Sequence, residues 1–230
     1  MVIGNGMVAT KFESFKANDE HIIFASGVSN SKTIDSSAYK RESDLLQKTI
    51  QENSNKTLVY FSTCSVYDPG EVSSAYVLHK LKTEEYIQSN SSQYYIFRVS
   101  NLVGKSKNHN TVLNFFYYHI INRINFDLWQ NAERNLMDID DAYCIIDHIL
   151  RTKVYQNQIT NIANPVSYPV ISIIEALENS LGIKANYIPI PKGSPINIDT
   201  TSIAPILKEL DVNFGNSYLN RLIKKYYIHQ

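Results

Sequence analysis

The 230-residue chain has no surplus of charge of either sign. Its 22 lysines and arginines equal its 22 aspartates and glutamates, so nothing points to a nucleic acid or an anionic membrane surface as partner. Cysteine is scarce too. Cys64 and Cys144 stand far apart without metal-ligand spacing, which excludes a disulfide scaffold and a zinc cluster and suits a reducing compartment; a cytoplasmic protein with no bound metal is expected. Long hydrophobic runs are missing: no basic segment followed by an apolar stretch opens the chain, and "VLNFFYYHII" at 112–121 is too short to cross a bilayer, so no membrane anchor is expected.

What is present is an alternation. "MVIG" is a short apolar strand ending at a glycine, and Val8, Phe12 and Phe15 follow at helical spacing. "HIIFAS" at 21–26 reads as a strand, 36–53 as an amphipathic helix, 56–62 as a strand, 74–89 as a helix and 94–99 as a strand. Helices are expected again near 110–123 and 138–150, and strands alternating with helices build a parallel sheet covered by helices, an α/β fold. Six of the seven prolines lie beyond residue 164, so the chain divides into a core over 1–164 and a smaller lobe of short elements and stiff turns over 165–230.

Three stretches carry chemistry. In "GNGMVA" (Gly4, Asn5, Gly6, Met7, Val8, Ala9) a strand becomes a helix: Gly4 permits the tight turn, Gly6 lets a pyrophosphate approach the backbone, and Ala9 lets the helix pack closely. A two-glycine turn also occurs without any ligand. In "SAYVLHK", Tyr76 and Lys80 are four apart and share a helix face, where an ammonium favours the ionised phenol as proton transfer requires; a rim aromatic beside a solvated charge is the plainer alternative. "YFSTCSVY" ends a buried strand in Ser62, Thr63 and Ser65, at the strand end where α/β sheets bind ligands, although local capping accounts for such hydroxyls equally.

Taken in order, the glycine turn, "STCSVY", Tyr-x-x-x-Lys, "RVSNLVG" at 98–104 and "RNLMDIDDA" at 134–142 resemble the extended short-chain dehydrogenase/reductase family of nucleotide-sugar epimerases, dehydratases and keto-sugar reductases. "NIANPVSYPVISIIEAL" at 161–177 extends the likeness over most of the chain. The resemblance implies a Rossmann-like doubly wound parallel sheet with a small C-terminal substrate-binding lobe. It implies Thr63, Tyr76 and Lys80 as the catalytic set, with Tyr76 as acid/base and Lys80 lowering its pKa and holding the nicotinamide ribose. It places NAD or NADP against Gly4, Asn5, Gly6, Met7, Val8, Ala25, Gly27, Tyr76 and Lys80, and a nucleotide-sugar substrate against Thr63, Cys64, Ser65, Asn101 and Arg134. An Arg fork suits a pyrophosphate. A homodimer paired through helices, and a place in bacterial surface-polysaccharide synthesis, are further implications.

The departures from that family are as informative. Only about 30 residues separate the glycine turn from the helix at 36–53, so one or two strand–helix units are missing, and no residue is assignable to the adenosine ribose. Thr63 and Tyr76 are 13 apart, which trims the substrate-facing loop, and Cys64 and Ser65 stand where the dehydratases carry an Asp–Glu pair. The resulting expectation is a keto-sugar reductase; a 4-epimerase and a non-catalytic nucleotide-sugar-binding relative stay open as alternatives.

Overall fold

The computed structural model describes residues 1–28, 33, 35–106 and 108–228. Five parallel strands form the main sheet: β1 (Val2–Ile3), β2 (His21–Phe24), β3 (Thr57–Thr63) and β4 (Tyr94–Val99), with a later strand, Ile159–Ile162, beside β4. Between β1 and β2 lie α1 (Met7–Lys11) and a 3₁₀ segment, Glu13–Ala17; α2 (Ser36–Glu52) and α3 (Ala75–Asn90) follow β2 and β3. Side chains alternate across the sheet with the strand period of two. Ile22, Phe24, Leu58, Tyr60 and Ile96 pack on one face with Leu46 and Ile50 of α2 and Ile87 of α3. Ile23, Val59, Tyr95 and Phe97 pack on the other with Phe12, Phe15 and the helix Ile139–Thr152, whose Ile145, Ile146 and Ile149 are fully buried. Burial on both faces is why these strands read as continuous apolar runs.

The expected first helix is only five residues long and continues as the 3₁₀ segment. The tighter winding places residues three apart in line, which brings Phe12 and Phe15 together at 5.9 Å between rings, both against the sheet. α2 and α3 start on side-chain caps: Asp35 accepts the Ser37 N–H at 2.9 Å, and Ser74 accepts the Val77 N–H at 3.2 Å.

The strand order bears directly on the expected shortening. In a sheet of order 3-2-1-4-5-6, two strands lie outside the first one; among the described residues here, β1 pairs with β2 alone and forms the edge. Two strand–helix units are therefore absent. The steps from β1 to β2 to β3 to β4 all run the same way along the sheet, yet the α1 segment packs on the face opposite α2 and α3. The β1–β2 connection thus has the opposite hand to the two that follow it. Its helix sits where it would if the next strand lay outside β1.

Beyond β4 the chain forms β5 (Asn101–Val103), α4 (Val112–Ile121), β6 (Phe126–Trp129), β7 (Glu133–Arg134), β8 (Leu136–Asp138) and α5 (Ile139–Thr152), then the last sheet strand, β9 (Ile159–Ile162). It closes with β10 (Tyr168–Pro169), α6 (Val170–Leu181), β11 (Tyr187–Ile190), α7 (Ala204–Glu209) and α8 (Tyr218–Ile223). The second lobe draws on both sides of residue 164. β6 pairs with β11 and β7 with β10, while α4, α6 and α8 share one core around Phe116, Ile120, Phe126, Ile173, Leu177 and Leu222. α7 returns to the main sheet, burying Ile206 and Leu207 against α5. Among the described residues, no helix is long and apolar enough to cross a membrane, and no cluster of His, Cys, Asp and Glu could hold a metal ion.

Candidate active site

The glycine turn, the turn after β2 and the hydroxyl-rich end of β3 lie side by side, because they leave the same end of three adjacent parallel strands. Gly4 holds φ at +128°, and a Cβ there would stand 2.4 Å from the Ala25 carbonyl oxygen, so only glycine brings the two turns this close. Gly6 begins α1, and a Cβ there would meet nothing within 4 Å, so its outer side is open space where a pyrophosphate can approach. Gly4, Asn5 and Gly6 are exposed, Met7 and Val8 half-buried and Ala9 buried. Met7 turns its sulfur toward Gly104, and the two join Asn101, Thr111 and Tyr227 around a narrow cleft of about 10 Å³, room for little more than a water molecule. That cleft links the turn expected for the cofactor with the residue expected beside the substrate.

Thr63 ends β3 buried, with its hydroxyl accepting the Ser65 N–H at 3.0 Å and donating to Ser65 Oγ at 2.9 Å. Below it, Glu84 of α3 accepts from Ser62 and from Arg98 Nη2 and Nε, at 2.6 and 3.0 Å. Arg98 also reaches the Tyr67 hydroxyl at 3.2 Å, so the 3₁₀ turn Cys64–Tyr67 after β3 is tied down from beneath. Cys64 does not face the cleft: its thiol is buried, donates to the Arg98 carbonyl at 3.1 Å and is pushed up by burial to about 12. It can offer a substrate only its backbone.

Tyr76 stands half-buried in the first turn of α3, with Lys80 one turn on. The Lys80 ammonium is almost wholly enclosed and donates to Glu42 Oε1 at 2.9 Å, the Tyr60 hydroxyl at 2.8 Å and the Phe61 carbonyl at 3.3 Å. Burial by itself pulls its pKa down, but Tyr60, Glu42 and Tyr76 outweigh it and hold the group above its ordinary value. Gly27 makes room for this arrangement, since a Cβ there would lie 2.8 Å from Lys80 Nζ and 3.2 Å from Glu42 Oε1. Ala25 and Gly27 thus line the turn directly above the buried charges.

Asn101 is exposed and donates its side-chain amide to the Asn135 carbonyl at 2.9 Å. Arg134 on β7 is half-buried; it donates to the Glu133 carbonyl at 2.8 Å and stands 3.5 Å from Asp68 Oδ2. Sequence reasoning passed over Glu42, Tyr60, His79 and Asp68. Glu42 had a signal: it stands four, seven and eight residues before Leu46, Thr49 and Ile50, in phase with the buried stripe of α2, where a carboxylate needs a partner.

The fold and the strand-end turns define an α/β protein with room for a dinucleotide's pyrophosphate at Gly6. A sequence profile of the NAD dependent epimerase/dehydratase family matches residues 10–163, more than half of the chain, and the protein belongs to that family. No curated protein matches the sequence. Among solved structures, the chain is similar to the UDP-N-acetylglucosamine 4-epimerase of Methanobrevibacter ruminantium in complex with UDP-N-acetylmuramic acid, with 16% identity, a TM-score of 0.67, and 88% of this chain and 74% of that one covered. It is similar to the ADP-L-glycero-D-manno-heptose-6-epimerase of Helicobacter pylori, with 17% identity, a TM-score of 0.69, and 91% and 72% covered. It is likewise similar to RMD of Pseudomonas aeruginosa complexed with NADPH, with 12% identity, a TM-score of 0.71, and 96% and 95% covered. At these identities the likeness shows the fold. The residues present fit a nicotinamide dinucleotide at the glycine turn, whereas no strand outside β1 offers a group to its adenosine ribose.

Proposed function

We propose that the protein is an NAD(P)-dependent oxidoreductase that reduces the keto group of a nucleotide-linked sugar. One observation carries this reading: the open Gly6 turn, the Thr63 and Ser65 hydroxyls and the Tyr76–Lys80 face of α3 all gather at one end of the parallel sheet. In the reaction, Thr63 and Ser65 hold the substrate oxygen by hydrogen bonds, and Tyr76 gives it the phenolic proton. A bound reduced nicotinamide supplies the hydride that the carbonyl carbon receives, and Tyr76 regains its proton from water. Asn101 orients the sugar, and Arg134 meets the pyrophosphate once it leaves Asp68. The half-buried pair that this exchange breaks is a long one, at 3.5 Å.

The test is calorimetry with NADH and NADPH on wild type and on Gly6→Asp. Binding is expected in wild type and lost in the variant, because a carboxylate there fills the open space and repels the pyrophosphate. If wild type binds neither cofactor, the oxidoreductase reading fails and a nucleotide-sugar-binding relative takes its place. The reading includes a homodimer paired through α3, whose outer side exposes Leu78 at 47% and Leu81 at 36%. Sedimentation of wild type against Leu78→Glu/Leu81→Glu should show a dimer becoming a monomer.

A further inference from the structure

Glu42 is a fully enclosed carboxylate on α2 that the reaction above does not use. Its Oε1 accepts from the Tyr60 hydroxyl at 2.7 Å and from Lys80 at 2.9 Å; its Oε2 accepts the Val28 N–H at 2.7 Å and lies 3.1 Å from His79 Nε2. Such donors are what lets a carboxylate stay ionised out of water. Burial pushes this carboxyl up, but His79, Lys80 and the Val28 N–H outweigh it and hold it far below the usual carboxylate range, so the group is charged. One side chain thus joins the turn after β2, the middle of β3 and α3.

The same bonds decide what Lys80 can reach. An ammonium has three donors, and Glu42, Tyr60 and the Phe61 carbonyl take all three. The side chain keeps 3% of its surface exposed, and the turn closes over it: a Cβ on Gly27 would stand 2.8 Å from Nζ. A cation that held a bound ribose would need a free donor and an open path, and here it has neither. What the Glu42–Lys80 pair does reach is the turn itself, through the Val28 N–H, and that turn abuts the glycine turn where Ala25 meets Gly4.

We propose that Glu42 is a positioning residue: it claims the Lys80 ammonium as an internal counter-ion and pins the turn at 25–28, against which the cofactor rests, so that Lys80 serves the cofactor through the turn and not by touching it. The pinning of the turn stands apart from the reductase reading, whereas the consequence for the cofactor rests on it.

Two double variants replace the ion pair by uncharged groups, which a core tolerates better than one partner left alone. Glu42→Gln/Lys80→Met keeps an oxygen for the Val28 N–H, and Glu42→Leu/Lys80→Met does not. Hydrogen exchange is read by NMR on ligand-free protein, with the Val28 amide measured against the Val59 amide of β3. Relative to wild type, Val28 exchange should stay within about threefold in the Gln variant and quicken by about tenfold or more in the Leu variant. A general loss of stability moves both amides together, so only a pinned turn gives that split. Equal Val28 rates in the two variants, or an unprotected Val28 amide in wild type, overturn the proposal. Calorimetry with NADH and NADPH tests the cofactor's side. The Gln variant should bind within about threefold of wild type, whereas loss of a charged hydrogen bond to a ribose would weaken binding by more than about tenfold and overturn the proposal. If wild type binds neither cofactor, the reductase reading falls, and the Val28 rates still decide whether Glu42 pins the turn.

Discussion

Tyr76 and Arg98 show how differently two side chains of one site can fail. In the proposed reaction, removing the Tyr76 hydroxyl takes away the proton donor, and among the described residues it disturbs no hydrogen bond of the framework. Tyr76→Phe should slow turnover by about 10²- to 10⁴-fold while leaving NADH or NADPH affinity within about twofold, checked by kinetics beside calorimetry. Arg98 does the opposite. Replacing it with Met leaves Glu84 charged and enclosed, which costs about 3–5 kcal/mol and shows as a fall in the urea midpoint. At this scale the sequence showed the residues whose identity alone carries meaning: glycines at a strand end, a tyrosine and lysine one helical turn apart. It did not show Glu42, because a stripe is recognised by its apolar members, and the Lys80 that satisfies this carboxylate lies 38 residues away.

Among the elements, the glycine turn is the most exacting. Gly4→Ala must abandon a φ of +128° or drive its methyl into the Ala25 carbonyl, whereas the same change at Gly6 enters open space. Gly4→Ala should therefore cost more than about 1 kcal/mol in thermal unfolding, and Gly6→Ala should lie within about 0.5 kcal/mol of wild type. The strands at 57–63 and 94–99 were legible because parallel strands buried on both faces are unbroken apolar runs. The 3₁₀ winding after α1 was not, since Phe12 and Phe15 fit either helix type at that spacing. The lobe boundary was hidden for another reason. Prolines punctuate the chain, but β6 and β7 find their partners in β11 and β10, and such pairings across the fold leave no local mark.

For the molecule as a whole, the buried charges set the response to acid. Glu42 has a folded pKa well below its unfolded value of about 4.3, so its contribution is complete above that pH and is lost as pH falls toward the folded value. Stability measured by urea unfolding should therefore decline below about pH 4, and the decline should be shallower in Glu42→Gln/Lys80→Gln. A working cofactor site has a global signature as well: NADH or NADPH at about 100 times its Kd should stabilise wild type by about 2.7 kcal/mol and leave Gly6→Asp unmoved.

The edge position of β1 has a consequence for the order in which the molecule is made. In a sheet whose first strand lies in the middle, that strand waits for neighbours on both sides. Here each strand from β2 to β4 docks on the one synthesised just before it, and β9 arrives last, with its partner β4 already in place. The sheet can grow from one edge in the direction of translation, at no point leaving a gap for a later strand to enter.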